Sequence, residues 1–463
     1  MLSGILVAVI YKESQLIGDF IASVLITGIP AVFGYFYFRR YREEHLITRD
    51  GFLVVSLSWI IVSAGGALPF YISQMIPSYT DAFFETISGF TTTGASVLAN
   101  IENLPYSLLF WRSLTHWIGG MGIVVLTVAV LPRLGIGGLK LMKSEVPGPT
   151  LDKLTPRIND TARILYLIYL GLTILEVLLL KIGGLNLFDS LTHTFGTLAT
   201  GGFSPKNSSV GFYNSSYVNI IITIFMLCAG VNFSLFFFIP QRNFSGIFSN
   251  IELRTYLIIF GVATLLITIS LTGNVYSSLS EGLQHAAFQV ASIISTTGFV
   301  TADFEKWPNL SKNILFALMF VGGCSGSTAG GIKIIRLITL FKQATSELKY
   351  LIHPQGIFLV KIANKVLKKD IIYPVAIFFF IYLFLVLLTT IIVSLSGQDL
   401  VTSFTTGLAT LGNIGPGLGL IGPTNNYGFY PDWVKWWLSF TMLVGRLEVY
   451  SVLVLFSPVF WRR

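Results

Sequence analysis

The chain has 463 residues, of which 53% are hydrophobic and 11% are charged, and its net charge is +8. Soluble domains carry roughly 25% charged residues, so this composition excludes a soluble globular protein. It predicts an integral membrane protein whose surroundings are the lipid bilayer. The positive charge does not indicate a nucleic-acid-binding protein, because the basic residues are divided among separate stretches that flank apolar segments.

The orientation of the chain in the membrane is predicted from its 30 Lys and Arg residues. Of these, 22 fall in five stretches, namely 39–49, 133–163, 242–254, 333–369 and the C-terminal pair 462–463. Each stretch lies at the end of an apolar segment or between two of them. Cytoplasmic loops carry an excess of basic residues, so all five stretches are predicted to be cytoplasmic.

The N-terminal region, 1–48, is predicted to contain one extra transmembrane segment. Its first apolar run, 2–10, is shorter than the roughly 20 residues that span a bilayer, and we interpret it as a stub of a helix. The next segment, 16–38, is long enough to span, and it ends at a pair of arginines. Later long apolar segments begin near Phe52, Leu108, Ile164, Tyr217, Tyr256, Ile314, Ile371 and Trp433.

Four short mixed segments lie between these apolar segments, at 80–91, 187–198, 284–294 and 398–409. At a rise of 1.5 Å per residue, a helix of this length spans about 17 Å, roughly half of the hydrocarbon core. Each segment is therefore predicted to be a half-helix, which enters the membrane without crossing it.

Each half-helix runs into a short stretch rich in glycine and hydroxyl residues. These stretches are TTTGAS (91–96), LATGGFS (198–204), ISTTGFV (294–300) and ATLGNIGPG (409–417). We take Gly94, Gly201, Gly298 and Gly412 as equivalent, and their separations of 107, 97 and 114 residues indicate an internal repeat. Because every connection between units is basic, the repeats are predicted to be parallel rather than inverted.

The predicted fold is therefore an all-α integral membrane protein with four helix–half-helix–filter–helix repeats around a pseudo-fourfold pore. Repeats 1 to 4 are placed at 49–134, 161–242, 250–343 and 371–463. A cytoplasmic or interfacial linker at 135–160 and a cytoplasmic linker at 344–370 connect them.

A non-helical stretch inside the membrane has backbone groups that lipid cannot satisfy, so it must contact protein or line a wet path. Four such stretches around one axis predict a path in which backbone carbonyls replace the water of a cation. Glycine reaches the unusual φ values that this requires. Simple glycine-rich bends are the structural alternative, but a bend needs no half-helix before it. The predicted filter residues are Thr92, Thr93, Gly94, Ala199, Thr200, Gly201, Thr296, Thr297, Gly298, Thr410, Leu411, Gly412 and Asn413.

The sequence GGCSGSTAGG (322–331) interrupts the segment 312–342, which otherwise has the character of the closing helix of repeat 3. Five glycines, each about 1 kcal/mol less favourable than alanine in a helix, make a regular helix improbable here. We predict a gate below the filter, with a static kink for close helix packing as the alternative. The predicted gate residues are Gly322, Gly323, Cys324, Ser325, Gly326, Ser327, Thr328, Gly330, Gly331 and Arg446.

Arg446 lies deep in the last apolar segment, where an arginine costs roughly 2.5–3.5 kcal/mol. It is predicted to face the interior of the bundle and to hold the gate by donating hydrogen bonds to its carbonyls. A structural ion pair is the alternative. Glu448 is the nearest carboxylate in sequence, but residues two apart do not face each other on a regular helix.

Other polar residues receive structural or open interpretations. Arg112 and His116 are predicted to be interfacial anchors, and the glycines of GGMG (119–122) to permit close helix approach. Asn232 either lines the cavity or bonds between helices. The outward acidic residues either concentrate cations at the mouth or are ordinary loop residues, and they are Asp81, Glu85, Glu102, Asp189, Glu281, Asp303, Glu305, Asp399 and Asp432.

Together with the four filter stretches, further motifs resemble the TrkH type of the Trk/Ktr/HKT potassium transporters over about residues 16–463. These motifs are RDGF (49–52), WIGGMGIVVL (117–126), LPRLGIGG (131–138), GGCSGSTAGGIKIIR (322–336), GPGLG (415–419) and GRLEVYSVLVLFSPVFW (445–461). Gly94 at the first filter position resembles the potassium pattern, since relatives with serine there tend toward sodium.

The resemblance implies potassium uptake across the bacterial inner (plasma) membrane, with potassium as the substrate and no organic cofactor in this chain. It also implies a homodimer and a cytoplasmic TrkA-like, nucleotide-binding regulatory subunit. The implied potassium ligands are the backbone carbonyls of Thr92, Thr93, Ala199, Thr200, Thr296, Thr297, Thr410 and Leu411.

Two other functions compete with this interpretation. The sequence contains no H-E-x-x-H, G-x-S-x-G or P-loop motif, so an enzyme is not predicted. A secondary transporter of another cation or small solute, for example a sodium-coupled one, requires charged residues at the membrane midplane. Arg446, with Glu448 beside it, is the only candidate for such a residue, and coupling to protons or sodium is left open.

Overall fold

The computed structural model describes residues 1–39, 48–125, 158–362, 365–367 and 369–462. Within these ranges most residues are helical, and the only sheet there is the antiparallel hairpin of β1 (Lys361–Ile362) and β2 (Lys365–Val366). Nearly all of the predicted linker 135–160, and the whole LPRLGIGG motif, lie outside the described residues.

The helices repeat one arrangement along the chain, in which a long helix, a half-helix and a further helix follow each other. In chain order they are α1 Leu2–Ile10, α2 Ser14–Phe38, α3 Thr48–Gly66, α4 Leu68–Ile72, α5 Tyr79–Phe90, α6 Tyr106–Val125, α7 Ile158–Ile182, α8 Leu187–Leu198, α9 Ser216–Ala229, α10 Phe233–Phe236, α11 Phe244–Phe248, α12 Ile251–Leu271, α13 Leu279–Ile294, α14 Asn309–Leu318, α15 Ile334–Ile352, α16 Lys369–Ser394, α17 Leu400–Leu411, α18 Asp432–Arg446, α19 Tyr450–Leu453 and α20 Pro458–Trp461.

Five spans among the described residues are long and apolar enough to cross a membrane, which makes this a multi-pass membrane protein. They are Ser14–Phe38, Arg49–Ile72, Ala162–Ile182, Ile251–Leu271 and Ile371–Ser394. Their outward faces carry exposed side chains such as Leu25, Ile29 and Phe33, which suits a lipid environment rather than water.

The N-terminal helix α1 has nine residues and folds back on α2, where Gly4 lies against the ring of Phe20. The turn after it caps helix α6, because the Glu13 carboxylate accepts hydrogen bonds from the backbone N–H groups of Tyr106 and Ser107 at 2.7 and 3.1 Å. Tyr11 also stacks on Tyr106, with 4.3 Å between the ring centroids. Helix α1 and the turn after it therefore have a defined packing role.

The four half-helices are α5, α8, α13 and α17, with 12, 12, 16 and 12 residues. Three begin where a side chain caps the first turn: Ser78, Asn186 and Asp399 each accept from a backbone N–H there. Each half-helix packs between the helix before it and the helix after it, α3 and α6, α7 and α9, α12 and α14, and α16 and α18. A 12-residue helix is about 18 Å long, so the predicted half-length is present in α5, α8 and α17. Helix α13 begins at Leu279, earlier than the predicted 284, and its 16 residues make it about 24 Å long.

The helices that follow half-helices α8, α13 and α17 all end before they are long enough to span a membrane. The interruption after α14 is the predicted one, and α15 then runs to Ile352, well into the predicted linker 344–370. The sequence predicted no break in the other two. Helix α9 ends at Ala229 before Gly230, and α18 ends at Arg446, after which Glu448 and Val449 both have φ of 60° and the chain turns by 115°.

Candidate functional site

The backbone takes the same path at the end of every half-helix. The four C-cap residues are Thr91, Ala199, Ser295 and Gly412. The next residue is left-handed in each case, with φ of 51° at Thr92, 57° at Thr200, 57° at Thr296 and 51° at Asn413. Two residues later a glycine has positive φ: Gly94 at 80°, Gly202 at 80°, Gly298 at 79° and Gly415 at 92°.

This common backbone path corrects the predicted alignment of two of the four stretches with the others. The glycines with equivalent conformation are Gly202 and Gly415, not Gly201 and Gly412. Thr410 and Leu411 lie in the last turn of α17, so the non-helical stretch begins three residues later than predicted. The second stretch contains two glycines and the fourth contains three, and only the backbone conformation shows which one occupies the left-handed position.

The four glycines meet the neighbouring stretches in a closed ring. A Cβ added to Gly94 would lie 2.1 Å from the carbonyl oxygen of Gly201, and one on Gly202 would lie 2.0 Å from that of Thr297. A Cβ on Gly298 would lie 2.2 Å from the oxygen of Ile414, and one on Gly415 would lie 2.7 Å from that of Thr93. Because real Cβ atoms do not approach within 3.0 Å, only glycine fits at these positions.

Buried hydroxyl groups support the backbone of the ring. The Oγ1 atoms of Thr91 and Thr93 are 2.8 Å apart, and Ser295 Oγ lies 2.7 Å from Thr297 Oγ1, which is the equivalent pair in the third stretch. Asn413 joins the fourth stretch to the first, because its Nδ2 donates to Thr93 Oγ1 at 2.9 Å. The first two contacts therefore brace single stretches, and the third fixes the fourth stretch relative to the first.

The segment 319–333, which we call the interrupting loop, contacts the ends of three half-helices. Thr328 Oγ1 donates to the carbonyl oxygen of Leu198, the last residue of α8, at 2.9 Å. The backbone N–H of Gly330 donates to Thr296 Oγ1 at 2.7 Å, and Gly330 lies against the carbonyl oxygen of Gly412. The loop therefore lies directly beside the ring.

Residues that the sequence did not single out hold the interrupting loop from the side. The Glu252 carboxylate accepts from the backbone N–H groups of Ser325 at 2.6 Å and Ile335 at 3.2 Å, so one side chain links the interior of the loop to the first turn of α15. Gly230, at the break after α9, accepts from the N–H of Cys324 at 2.8 Å. The only sequence signal for Glu252 was a carboxylate at the start of an apolar helix.

The Asn232 side chain caps a short helix and packs against the interrupting loop. Its Oδ1 accepts from the N–H of Ser234 and caps the short helix α10, and its side chain packs against Gly326. The N–H of the next residue, Phe233, donates to the carbonyl oxygen of Gly326 at 3.0 Å. The break after α9 is thus fitted to the interrupting loop.

Arg446 is buried and bridges the interrupting loop to α6. Its Nη1 donates to the carbonyl oxygen of Thr328 at 2.7 Å, and its Nη2 donates to that of Gly119 at 3.1 Å. The predicted hydrogen bond to a loop carbonyl is present, but Arg446 is the last residue of α18 rather than at a helix centre. The Glu448 carboxylate pairs with Arg336 of α15.

Arg112 and His116 are fully buried, so their prediction as interfacial anchors is wrong. Arg112 Nε lies 2.6 Å from Glu85 Oε1, and its Nη1 donates to the carbonyl oxygen of Ser204 at 3.0 Å. His116 Nδ1 is 2.7 Å from the carbonyl oxygen of Gly89, and its Nε2 accepts from the N–H of Phe203 at 3.2 Å. These side chains connect helix α5 to the second stretch, through partners that are distant in sequence.

Gly119 and Gly120 have the close-packing role that the sequence predicted. A Cβ on Gly119 would lie 1.9 Å from the carbonyl oxygen of Phe90, and one on Gly120 would lie 2.8 Å from the Cα of Ala199. Helix α6 therefore touches the backbone at the ends of α5 and α8.

Several acidic residues, considered above as a cation-concentrating mouth, have protein partners instead. Glu85 pairs with Arg112, Asp81 lies 2.6 Å from Lys435 Nζ, and Glu305 accepts from the N–H of Gly419 at 2.6 Å. Asp399 caps α17, where hydrogen bonding from Thr402 and its backbone lowers the pKa of the carboxyl below the ordinary value of aspartic acid. These four carboxylates therefore have structural roles.

The buried Glu85–Arg112 pair yields a prediction for stability. Glu85→Ala leaves the Arg112 guanidinium buried without its carboxylate, which typically costs about 3–5 kcal/mol. We expect a lower midpoint in a thermal unfolding experiment in detergent. Lys306→Ala is the control, because it removes an exposed pair with Asp303 worth at most about 1 kcal/mol. Equal midpoints for the two variants would contradict the importance of the buried pair.

Comparison with known proteins identifies the family. The family model of TrkH, described as a cation transport protein, matches residues 27–463 of this chain. The chain belongs to the TrkH family. It is therefore a transport protein, and the prediction that it is not an enzyme is confirmed.

TrkH-family relatives match along almost the whole chain. The Trk system potassium uptake protein TrkH of Escherichia coli K12 is 40% identical over 461 residues, covering 99% of this chain and 95% of the relative. The protein of the same name from Halomonas elongata is 42% identical over 471 residues, covering 100% and 96%. The crystal structure of the potassium transporter TrkH from Vibrio parahaemolyticus matches with a TM-score of 0.82 at 35% identity, covering 100% of this chain and 98% of that one.

Proposed function

We propose that this TrkH-family protein takes up potassium through a filter formed by the four glycine stretches. The observation that carries the proposal is the closed ring of contacts, from Gly94 to Gly201, Gly202 to Thr297, Gly298 to Ile414 and Gly415 to Thr93. Four short backbone segments in mutual contact, each reached by a half-helix, suit the coordination of a cation by main-chain oxygens. The relatives named as potassium uptake proteins support potassium as that cation.

The potassium ligands are then backbone carbonyls at equivalent places in the four stretches. When the four stretches are aligned by their backbone conformation, these are the carbonyls of Thr92, Thr93, Thr200, Gly201, Thr296, Thr297, Asn413 and Ile414. The C-terminal ends of the half-helices, with their partial negative charge, favour a cation in this position. Carbonyl ligands carry no fixed charge, so the ion can leave as well as enter.

The proposed architecture is four parallel repeats around a pseudo-fourfold axis, with the boundaries 49–134, 161–242, 250–343 and 371–463. The recurring neighbours of the half-helices and the recurring φ values support it. The linkers 135–160 and 344–370 and the N-terminal segment 1–48 then lie outside the repeats. The axis passes through the ring of glycines.

The interrupting loop and Arg446 are proposed as the gate. The loop contacts the ends of α8, α13 and α17 through Thr328 and Gly330, so it lies where it would obstruct an ion leaving the ring. Arg446 places a positive charge in the same region and holds the loop through Thr328. A loop held by a few hydrogen bonds rather than by a continuous helix can change conformation at modest cost.

We also propose that the protein acts as a homodimer in the bacterial inner membrane, with a cytoplasmic nucleotide-binding partner of the TrkA type. Several relatives are named as components of a Trk system, which supports a multi-component assembly. The basic stretches predicted to be cytoplasmic provide a surface for such a partner.

Flux measurements in proteoliposomes test the function. We expect the purified protein to give uptake of radioactive rubidium, a potassium tracer, above that of empty liposomes, with stronger competition from potassium than from sodium. Addition of the cytoplasmic partner with nucleotide should change the rate. Equal competition by sodium would favour the alternative of a less selective or sodium-coupled transporter. Absence of flux both with and without the partner would contradict the proposal.

A further inference from the structure

An apolar cavity opens on the outer surface of the bundle, away from the ring. It has a volume of about 240 Å³, and it lies between the break after α9 and the start of α12. Its lining is apolar throughout and includes Leu227, Val231, Leu253 and Leu257. An apolar cavity of about 150 Å³ is already large enough to hold benzene, so this one has room for part of a hydrocarbon chain.

Two arginines lie close in sequence to residues that line this cavity. Arg254 follows the lining residue Leu253, and its Nε donates to the carbonyl oxygen of Phe248, another lining residue. Arg242 is exposed and lies in the connection between the lining residues Ile239 and Ile247. An apolar cavity with two arginines next to its lining residues matches a molecule with a hydrocarbon chain and an anionic head.

We propose that the cavity binds one acyl chain of an anionic phospholipid, whose phosphate is held by Arg242 and Arg254. Both arginines belong to a stretch predicted to be cytoplasmic, and the cytoplasmic leaflet is the one that carries anionic surface charge. Guanidinium groups bind phosphate through charge-assisted hydrogen bonds. The apolar lining of the cavity thus identifies the acyl chain of the occupant, and the positive charge of the two arginines identifies its anionic head group.

The bound lipid stabilises the position of the interrupting loop. Cys228 and Val231 of the lining flank Gly230, whose carbonyl oxygen accepts from the N–H of Cys324 in the loop. On the other wall Leu253 follows Glu252, whose carboxylate links Ser325 of the loop to the start of α15. A chain that fills the cavity therefore supports two of the contacts that fix the loop. This step rests on the proposed gating function, whereas lipid binding itself does not.

Binding is tested by native mass spectrometry of the purified full-length protein, delipidated in detergent and then exposed to phosphatidylglycerol or phosphatidylcholine. Wild-type protein should retain phosphatidylglycerol in preference. Leu257→Trp fills the cavity and should bring retention to background. Ile258→Trp is the matched control, since Ile258 is the next residue, is 64% exposed and does not line the cavity. It should leave retention unchanged.

The double variant Arg242→Gln/Arg254→Gln tests the head group without touching the lining. Each arginine near an anionic lipid contributes about 1 kcal/mol, so loss of both should lower phosphatidylglycerol retention roughly 30-fold. Equal retention of phosphatidylcholine and phosphatidylglycerol would overturn the head-group assignment. Unchanged phosphatidylglycerol retention by Leu257→Trp would overturn lipid as the occupant. A change in the dimer content of this variant instead of a change in its lipid retention would also overturn it.

Rubidium flux by the same variants separates lipid binding from gating. Leu257→Trp should change the basal flux of proteoliposomes while Ile258→Trp does not. If retention falls and flux is unaltered, the cavity binds lipid but the coupling to the loop is wrong. If wild-type protein gives no flux, the proposed function has failed, and the retention data still decide the lipid site.

Discussion

Gly202→Ala is expected to reduce rubidium flux to the level of liposomes without protein. The new Cβ would lie 2.0 Å from the carbonyl oxygen of Thr297, and Gly202 has φ of 80°, a region that side chains rarely adopt. Both the second and the third stretches must move to relieve the contact. Because proposed potassium ligands belong to these same segments, their displacement should destroy the filter.

Gly171→Ala is the matched control for this variant. Gly171 lies within α7, no atom beyond its chain neighbours and the nearby backbone of its own helix lies within 4 Å of the position of its Cβ, and alanine is favoured over glycine in a helix. Flux should be unchanged. Protein amount is measured in both preparations, so that flux per molecule is compared. Normal flux through Gly202→Ala would contradict the assignment of the ring as the filter.

The fourth stretch provides a second comparison, between two of its own glycines. Gly415 has φ of 92° and its Cβ would meet Thr93 of the neighbouring stretch, whereas Gly412 is a C-cap with φ of −79° whose nearest contact is in its own helix. Gly415→Ala should therefore reduce flux far more than Gly412→Ala. The reverse order would support the alignment predicted from the sequence, in which Gly412 is the equivalent of Gly94.

Arg446→Ala is expected to raise basal flux about tenfold or more in proteoliposomes without the cytoplasmic partner. The substitution removes the hydrogen bonds to the carbonyl oxygens of Thr328 and Gly119. A hydrogen bond from a charged group contributes about 1.5–3 kcal/mol, and 1.4 kcal/mol corresponds to a tenfold change in an equilibrium. The loop should therefore leave its obstructing position more often, and the positive barrier to a cation is also lost.

Two further variants separate gating from a structural role of Arg446. Arg446→Lys keeps the charge but has no forked donor group to reach both carbonyls, so its flux should be intermediate. Deletion of 323–330 should raise flux if the interrupting loop obstructs the pathway. Unchanged flux after the deletion would favour a static kink. A lower yield of Arg446→Ala with normal flux per molecule would favour a structural role.

Much of the fold was predictable because lipid restricts what a chain can do. Segments such as 16–38 had to be helices, since a backbone in lipid must satisfy its own hydrogen bonds. The half-length of α5, α8 and α17 was predictable from the distance between apolar and glycine-rich residues. The interruption at 322–331 was predictable because five glycines there oppose a helix.

The breaks after Ala229 and Arg446 were not predictable in the same way. Glu448 and Val449 carry left-handed φ values that their residue types disfavour, so the tertiary structure must stabilise them. The ion pair of Glu448 with Arg336, from a helix more than a hundred residues earlier, is such a contact. Local sequence contains no information on this pairing.

The sequence alone determined that this is a helical membrane protein with four half-helices and glycine-rich stretches, because hydrophobicity and glycine content act locally. Tertiary structure decided which glycine of each stretch takes the left-handed position, and which buried charges pair. The physical reason is distance along the chain: the carbonyl oxygen that excludes a side chain at Gly202 belongs to Thr297, and the carboxylate that neutralises Arg112 belongs to Glu85 on another helix. Such contacts exist only after the helices have packed.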